Sequence, residues 1–91
     1  MNRWERMKEL FELFEKSEPL SCREISNELN ININHSDSLL RGYCKQGYLK
    51  RRKNLDGRYI YIYVLTRKGY TQLNGFLKTG MYQNYLLINQ N

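Results

Sequence analysis

Apolar residues recur at intervals of three and four near the start of the chain, where Trp4, Met7, Leu10, Phe11 and Phe14 are interleaved with Glu5, Glu9, Glu12 and Glu15. That spacing matches the 3.6-residue turn of an α-helix with one buried face, and predicts an amphipathic helix over residues 3–16. Pro19 ends it, because the proline ring disfavours helical backbone in the residue before it. Ser21-Cys22-Arg23-Glu24 then has the S-x-x-E form of a capping box, in which Ser21 accepts from the Glu24 amide and Glu24 accepts from the Ser21 amide. A second helix is expected from Cys22 to Leu29, with Ile25 and Leu29 inward.

Asn30-Ile31-Asn32-Ile33-Asn34 interrupts the helical pattern with short amides able to satisfy free helix-start N–H groups, so a third helix should begin after Asn32 or Asn34. It is expected to run to about Gln46, with Gly47 as its C′ residue. Leu40 and Tyr43, with Leu39 beside them, supply its buried face, which leaves Asn34, His35, Asp37, Ser38, Arg41 and Lys45 outward. The pattern then changes. Tyr48–Lys53 and Tyr59–Leu65 are rich in aromatic and β-branched residues and flank Asn54-Leu55-Asp56-Gly57-Arg58, whose Asp-Gly step favours a tight hairpin. Tyr59, Tyr61, Tyr63 and Leu65 fall on one face of the second strand and Ile60, Ile62 and Val64 on the other, so both faces look fit for burial. Thr66 is placed to cap a fourth helix from Arg67 to Lys78, with Tyr70, Leu73 and Leu77 on one side.

Charge divides this layout in two. Residues 1–29 carry five bases and seven acids, a net of −2, whereas residues 41–68 carry nine bases against the single acid Asp56, a net of +8. Clustered cations suit a row of phosphates, because each neutralised phosphate releases condensed counterions. Ninety-one residues with 41% hydrophobic content allow one domain, 1–91, with 78–91 as a C-terminal dimerisation or packing segment. No apolar run approaches the roughly 18 residues that span a bilayer, and the first residues lack the apolar stretch of a signal peptide. An intracellular protein is expected, in the cytoplasm or, for a viral protein, the host cytoplasm.

Cys22 and Cys44 are too few and too widely spaced for a disulfide framework or a zinc knuckle. One histidine, no nucleotide-cradling glycine motif and no nucleophile–base arrangement leave no reaction to assign, so no catalysis, cofactor or metal is expected.

Leu20 to Leu49, followed by Leu65-Thr66-Arg67-Lys68-Gly69, resembles the winged helix-turn-helix regulators of the MarR, PadR and ArsR type. In that group a G-[LY]-[LIV] step leads into the wing, here Gly47-Tyr48-Leu49, and an L-T-x-x-G step leaves it. The resemblance covers about 50 of the 91 residues and implies an α+β winged helix: three helices, a β-hairpin wing and a C-terminal helix. Its register would place Leu65, Tyr63 and Tyr61 on the core and leave the Ile60, Ile62, Val64 face for the C-terminal segment or a partner chain. Metal-sensing members of the ArsR group use clustered Cys and His, and His35, Cys22 and Cys44 occupy three separate helix positions here. Small size and many Asn, Ile and Tyr residues also resemble minimal winged-helix proteins of archaea and their viruses.

The resemblance implies double-stranded DNA as partner, with the third helix in the major groove. Arg41 would then donate twice to a guanine and Asn34 pair with an adenine, while Asp37 accepts from a cytosine or simply favours the helix dipole, and Ser38 and His35 add contacts. Lys45, Lys50, Arg51, Arg52, Lys53 and Arg58 would grip phosphates, with Arg58 or Arg52 able to enter a narrow minor groove. Trp4, Phe11 and Phe14, with Met81, Tyr85, Leu86 and Ile88, are candidates for a homodimer interface. No membrane partner or small-molecule ligand is evident. The expected activity is sequence-specific regulation of transcription; the alternatives are a nonspecific architectural or replication-associated nucleic-acid binder and a winged helix that binds an acidic protein.

Overall fold

The computed structural model describes residues 2–55, 57 and 60–76. In chain order the elements are α1 (Arg3–Lys16), α2 (Cys22–Leu29), α3 (Ile33–Lys45), β1 (Leu49–Lys53) and β2 (Tyr61–Leu65), followed by α4, helical over 67–76. Local chemistry sets each start. Asn2 and Glu5 form a capping box on α1 that periodicity did not disclose, and Ser21 and Glu24 form the expected one on α2, at 3.1 and 3.0 Å. Asn32 caps α3, its side-chain oxygen accepting from the Asn34 amide at 2.7 Å. At the other end of that helix Gly47 has φ +88°, a left-handed backbone that glycine adopts without a Cβ penalty.

β1 and β2 pair antiparallel, with Leu49 opposite Leu65, Arg51 opposite Tyr63 and Lys53 opposite Tyr61. Leu20 adds a one-residue bridge on the free side of β2, exchanging both backbone bonds with Tyr63 at 2.8 and 3.1 Å. Just before it, the Glu18 carboxylate accepts from the Leu65 amide at 2.9 Å. The connection between α1 and α2 is thereby laid along the sheet. Four stretches of chain then close on one core: Leu10, Phe11 and Phe14 of α1, Ile25 of α2, Leu40 of α3 and Leu73 of α4 are fully buried. The Phe11 ring meets Tyr43 and Tyr48 at 5.3 and 5.6 Å between centroids, which ties α1 to both ends of the α3–β1 connection.

Several expectations need correcting. Phe11 and Phe14, proposed for a dimer interface, are in the centre of the core, because the buried stripe of α1 is centred on Leu10, Phe11 and Phe14 and leaves Trp4 as its exposed member, 59% accessible. The register puts Tyr63 and Leu65 inward as anticipated, but Tyr61 lies beyond the edge of the core and stays exposed. β2 begins at Tyr61 rather than Tyr59, with an Asn54 N–H to Ile60 carbonyl bond closing the wing loop. On α4 the inward residues are Gly69, Leu73 and half-buried Phe76, and Tyr70 is exposed. Leu77, Lys78 and the C-terminal segment to residue 91 lie outside the described residues, so the expected packing of that segment on the Ile60, Ile62, Val64 face falls outside them too.

The two steps that flank the wing are locked to each other. Thr66 Oγ1 donates to the Gly47 carbonyl at 2.6 Å, sits 3.1 Å from the Tyr48 carbonyl and accepts from the Gly69 amide at 3.2 Å. A Cβ at Gly69 would fall on the Tyr48 carbonyl oxygen and on Leu65 Cδ2, so no side chain fits there without moving backbone. Lys68 Nζ donates to the Gln46 carbonyl at 2.6 Å, closing the end of α3, and lies 4.8 Å from the centre of the Tyr48 ring. The glycine and threonine of the two sequence steps thus set how α3, the wing and α4 meet.

Candidate nucleic-acid interface

A helix can present side chains to a partner only if its own position is fixed, and α3 is held by polar bonds from α2. Asn30 ends α2 in the left-handed region (φ 53°, ψ 50°), turning the chain sharply. Ser26 Oγ donates to the Ile31 carbonyl at 2.6 Å, and the Ile31 amide returns a bond to the Ser26 carbonyl at 3.1 Å. Ser36, fully buried on α3, donates to the Cys22 carbonyl at 3.1 Å, while the Cys22 thiol lies 3.6 Å from the Ile33 carbonyl. Sequence reading took no account of Ser36. A serine one turn before Leu40 on the buried face was the available signal, since a buried hydroxyl requires a partner.

The opposite face of α3 is exposed at Asn34, His35, Ser38, Arg41 and Lys45, and Asp37 is half-buried. Asp37 is turned along the helix to Arg41, Oδ2 to Nε 3.0 Å. An exposed pair one turn apart contributes only about 0.3–0.5 kcal/mol, but it fixes where the guanidinium points. With Nε engaged, the Nη1 and Nη2 edge, which carries parallel donors, is the one left for a planar acceptor pair. Asp37 therefore positions Arg41, a role its i, i+4 spacing could have indicated.

β1 supplies the charge. Lys50, Arg51, Arg52 and Lys53 are all exposed, but the two-residue period of the strand separates them. Arg51 and Lys53 share the face of Leu49, Tyr63 and Leu65, towards α3, whereas Lys50 and Arg52 share the face of Ile62 and Val64. Arg51 lies 4.2 Å over the Tyr61 ring, a diagonal cross-strand contact that restrains its fork. It also borders a cleft of about 240 Å³ between α3 and the sheet, lined by Arg41, Cys44, Arg51 and Tyr63.

Burial in this cleft raises the pKa of both acids within it, because their charged forms lose hydration. The Cys44 thiol is pushed up by desolvation against a downward pull from Arg51. Tyr63 is likewise raised by burial first, with the Arg51 cation and its hydrogen bond opposing. Both side chains are neutral at pH 7, so the two arginines are the charges of the cleft. Arg58, Asp56 and Tyr59 lie outside the described residues. Among the described residues no group of three His, Cys, Asp or Glu side chains is arranged to hold a metal, both cysteines are free thiols, and no helix is long and apolar enough to cross a membrane.

No protein-family model matches the chain, and no curated protein matches it by sequence. Solved structures do match. A Mycobacterium tuberculosis protein aligns over 93% of this chain and 58% of its own, with a TM-score of 0.83 at 9% identity. A point mutant of Staphylococcus aureus MepR aligns over 94% and 64%, with a TM-score of 0.82 at 16% identity. Staphylococcus aureus MarR, solved with salicylate and kanamycin, aligns over 93% and 57%, with a TM-score of 0.78 at 14% identity. The fold is that of the MarR-type winged helix. At these identities the likeness concerns the backbone, and the chain spans a little over half the length of most of the MarR-type structures it matches.

Proposed function

We propose that this chain is a sequence-specific double-stranded DNA-binding protein that regulates transcription, with α3 in the major groove and the wing on the phosphates. The observation that supports it most is the adjacency of two unlike surfaces. The exposed polar face of α3 stands beside β1, which places four consecutive bases in solvent with no acid among them. Asn34, His35, Ser38 and Arg41 are the base-reading residues, with Asp37 directing Arg41. Lys45, Lys50, Arg51, Arg52, Lys53 and Arg58 are the phosphate contacts.

The protein acts as a two-fold dimer. This is supported by Trp4, an exposed indole on the α1 end remote in charge from the wing, edge-on to Phe76 at 6.0 Å. The C-terminal part of the sequence adds the apolar residues Met81, Tyr85, Leu86 and Ile88. Paired recognition helices would prefer an inverted repeat with half-site centres about 10–10.5 base pairs apart, or a multiple.

Selection from a random duplex pool tests the whole reading. The expected result is an enriched inverted repeat, bound by a species that sediments as a dimer. Equal binding of all duplexes would favour an architectural role, and no duplex binding at moderate salt would favour an acidic protein partner.

A further inference from the structure

Ile33 is the first residue of α3 and is 40% accessible, an isoleucine at the leading end of a helix whose other outward residues are polar. Its backbone is fixed on both sides, by the Asn32 cap and by the Cys22 thiol at its carbonyl. Across from it on the wing, Ile60 is 70% and Tyr61 41% accessible. These three side chains line a single cleft of about 280 Å³ between the starts of α2 and α3 and the wing, with Arg23 and Asp37 among its polar lining. Tyr63 also lines the cleft of this apolar cluster, which therefore adjoins the one that Arg41 and Arg51 border.

Phosphates give such a cluster nothing, and water makes its exposure costly. A duplex offers one apolar group on its major-groove edge, the C5-methyl of thymine. We propose that Ile33, backed by Ile60 and Tyr61 in that cleft, reads a thymine by packing against its methyl group. The inference rests on the DNA-binding reading above and adds a base to it. Arg41 and Asn34 discriminate by hydrogen bonds, and Ile33 discriminates by shape and hydration, which makes it blind to every groove atom except the methyl.

The test uses the intact chain and a duplex it has enriched from a random pool, with each thymine replaced singly by deoxyuridine. The swap removes the methyl and leaves base pairing intact. At one position in each half-site, wild-type affinity should fall about fourfold, the equivalent of ~0.8 kcal/mol for one buried methyl. Ile33→Ala should bind the unmodified duplex about as weakly and show no further loss at that position. Where Ile33→Ala binds too weakly to measure, Ile33→Val, which keeps a branched methyl, carries the comparison and should show a reduced penalty. Because the deoxyuridine series needs no variant, it stands whatever the fold of the mutants. Indifference of the wild type at every thymine overturns the inference, as does a penalty that persists unchanged in Ile33→Ala or Ile33→Val. Either result leaves DNA binding in place. Failure to enrich any duplex overturns both readings together.

Discussion

α3 and β1 meet at the cleft lined by Arg41 and Arg51, but one is rich in positional restraints and the other in charge. α3 is pinned through Ser36 to the Cys22 carbonyl, through Ser26 to Ile31 and through its Asn32 cap, and its outward cations are Arg41 and Lys45. β1 is flanked by a single strand, its loop is closed by the Asn54 to Ile60 bond, and it carries four bases in succession. Reading a base edge requires a donor placed to within about half an ångström, whereas a phosphate row rewards any nearby cation. The molecule therefore spends rigidity where a base would be read and charge where only proximity matters.

The strongest way to break the comparison is to disturb the joint that sets both regions. Gly69→Ala drives a methyl into the Tyr48 carbonyl, and should destabilise the domain by about 3 kcal/mol, the upper range for overpacking against backbone. Urea denaturation checks this, and a loss below about 0.5 kcal/mol would show that the joint can open freely.

Next in size is the reading helix itself. Arg41→Ala should cost roughly 1–3 kcal/mol on the preferred duplex and flatten selectivity at one base pair. Asp37→Asn, which keeps the shape and removes the charge that orients Arg41, should lose part of the same selectivity in a competition titration.

On the wing, each of Arg51→Ala and Arg52→Ala should weaken all duplexes alike and make the slope of log K against log salt shallower by about 0.9. The strand period sharpens this: Arg51, on the α3 side and restrained over Tyr61, should cost more affinity than Arg52 on the opposite face. Equal losses would mean that the two faces of the wing meet DNA to the same extent.

The smallest effect concerns the cleft where the two regions meet. The pKa values of Cys44 and Tyr63 are raised in the folded state, so the unfolded chain gives up those protons first as the solution becomes alkaline. Their contribution is fully present below the ordinary thiol value of 9.0 and is lost as pH rises past it, then past the ordinary tyrosine value of 10.0. Thermal unfolding followed from pH 7 to 11 should show the decline begin with the thiol, and Cys44→Ser should delay its onset.

Much of this frame was legible before any coordinates, because helix starts are written in local chemistry. Ser21 to Glu24, Asn32 and Gly47 mark boundaries by side-chain type alone, and the structure places α2 and α3 where those signals fall. What periodicity does not supply is the centre of an apolar stripe, so Trp4 and Phe11 looked equivalent although one is exposed and the other lies in the core. Tyr61 and Tyr70 were misplaced for a related reason: a tyrosine suits a boundary as well as an interior, and tertiary geometry decides.

Within the site, the outward set on α3 followed from helical phase. The pairing of Asp37 with Arg41 and the division of the β1 bases between two faces were present in the spacings i, i+4 and i, i+2 but were not read. Ile33 and Ser36 depended on how α2 crosses α3, which no local pattern carries.

The division of labour between helix and wing is tested most directly by one competition titration, measuring the affinity ratio between the enriched duplex and a scrambled one. Wild type, Arg41→Ala and the Arg51→Ala, Arg52→Ala double variant are compared at one salt concentration. The ratio should collapse towards unity for Arg41→Ala and stay at its wild-type value for the wing variant, whose affinity for both duplexes falls together. A ratio preserved in Arg41→Ala and lost in the wing variant would assign base reading to the wing and contradict the account.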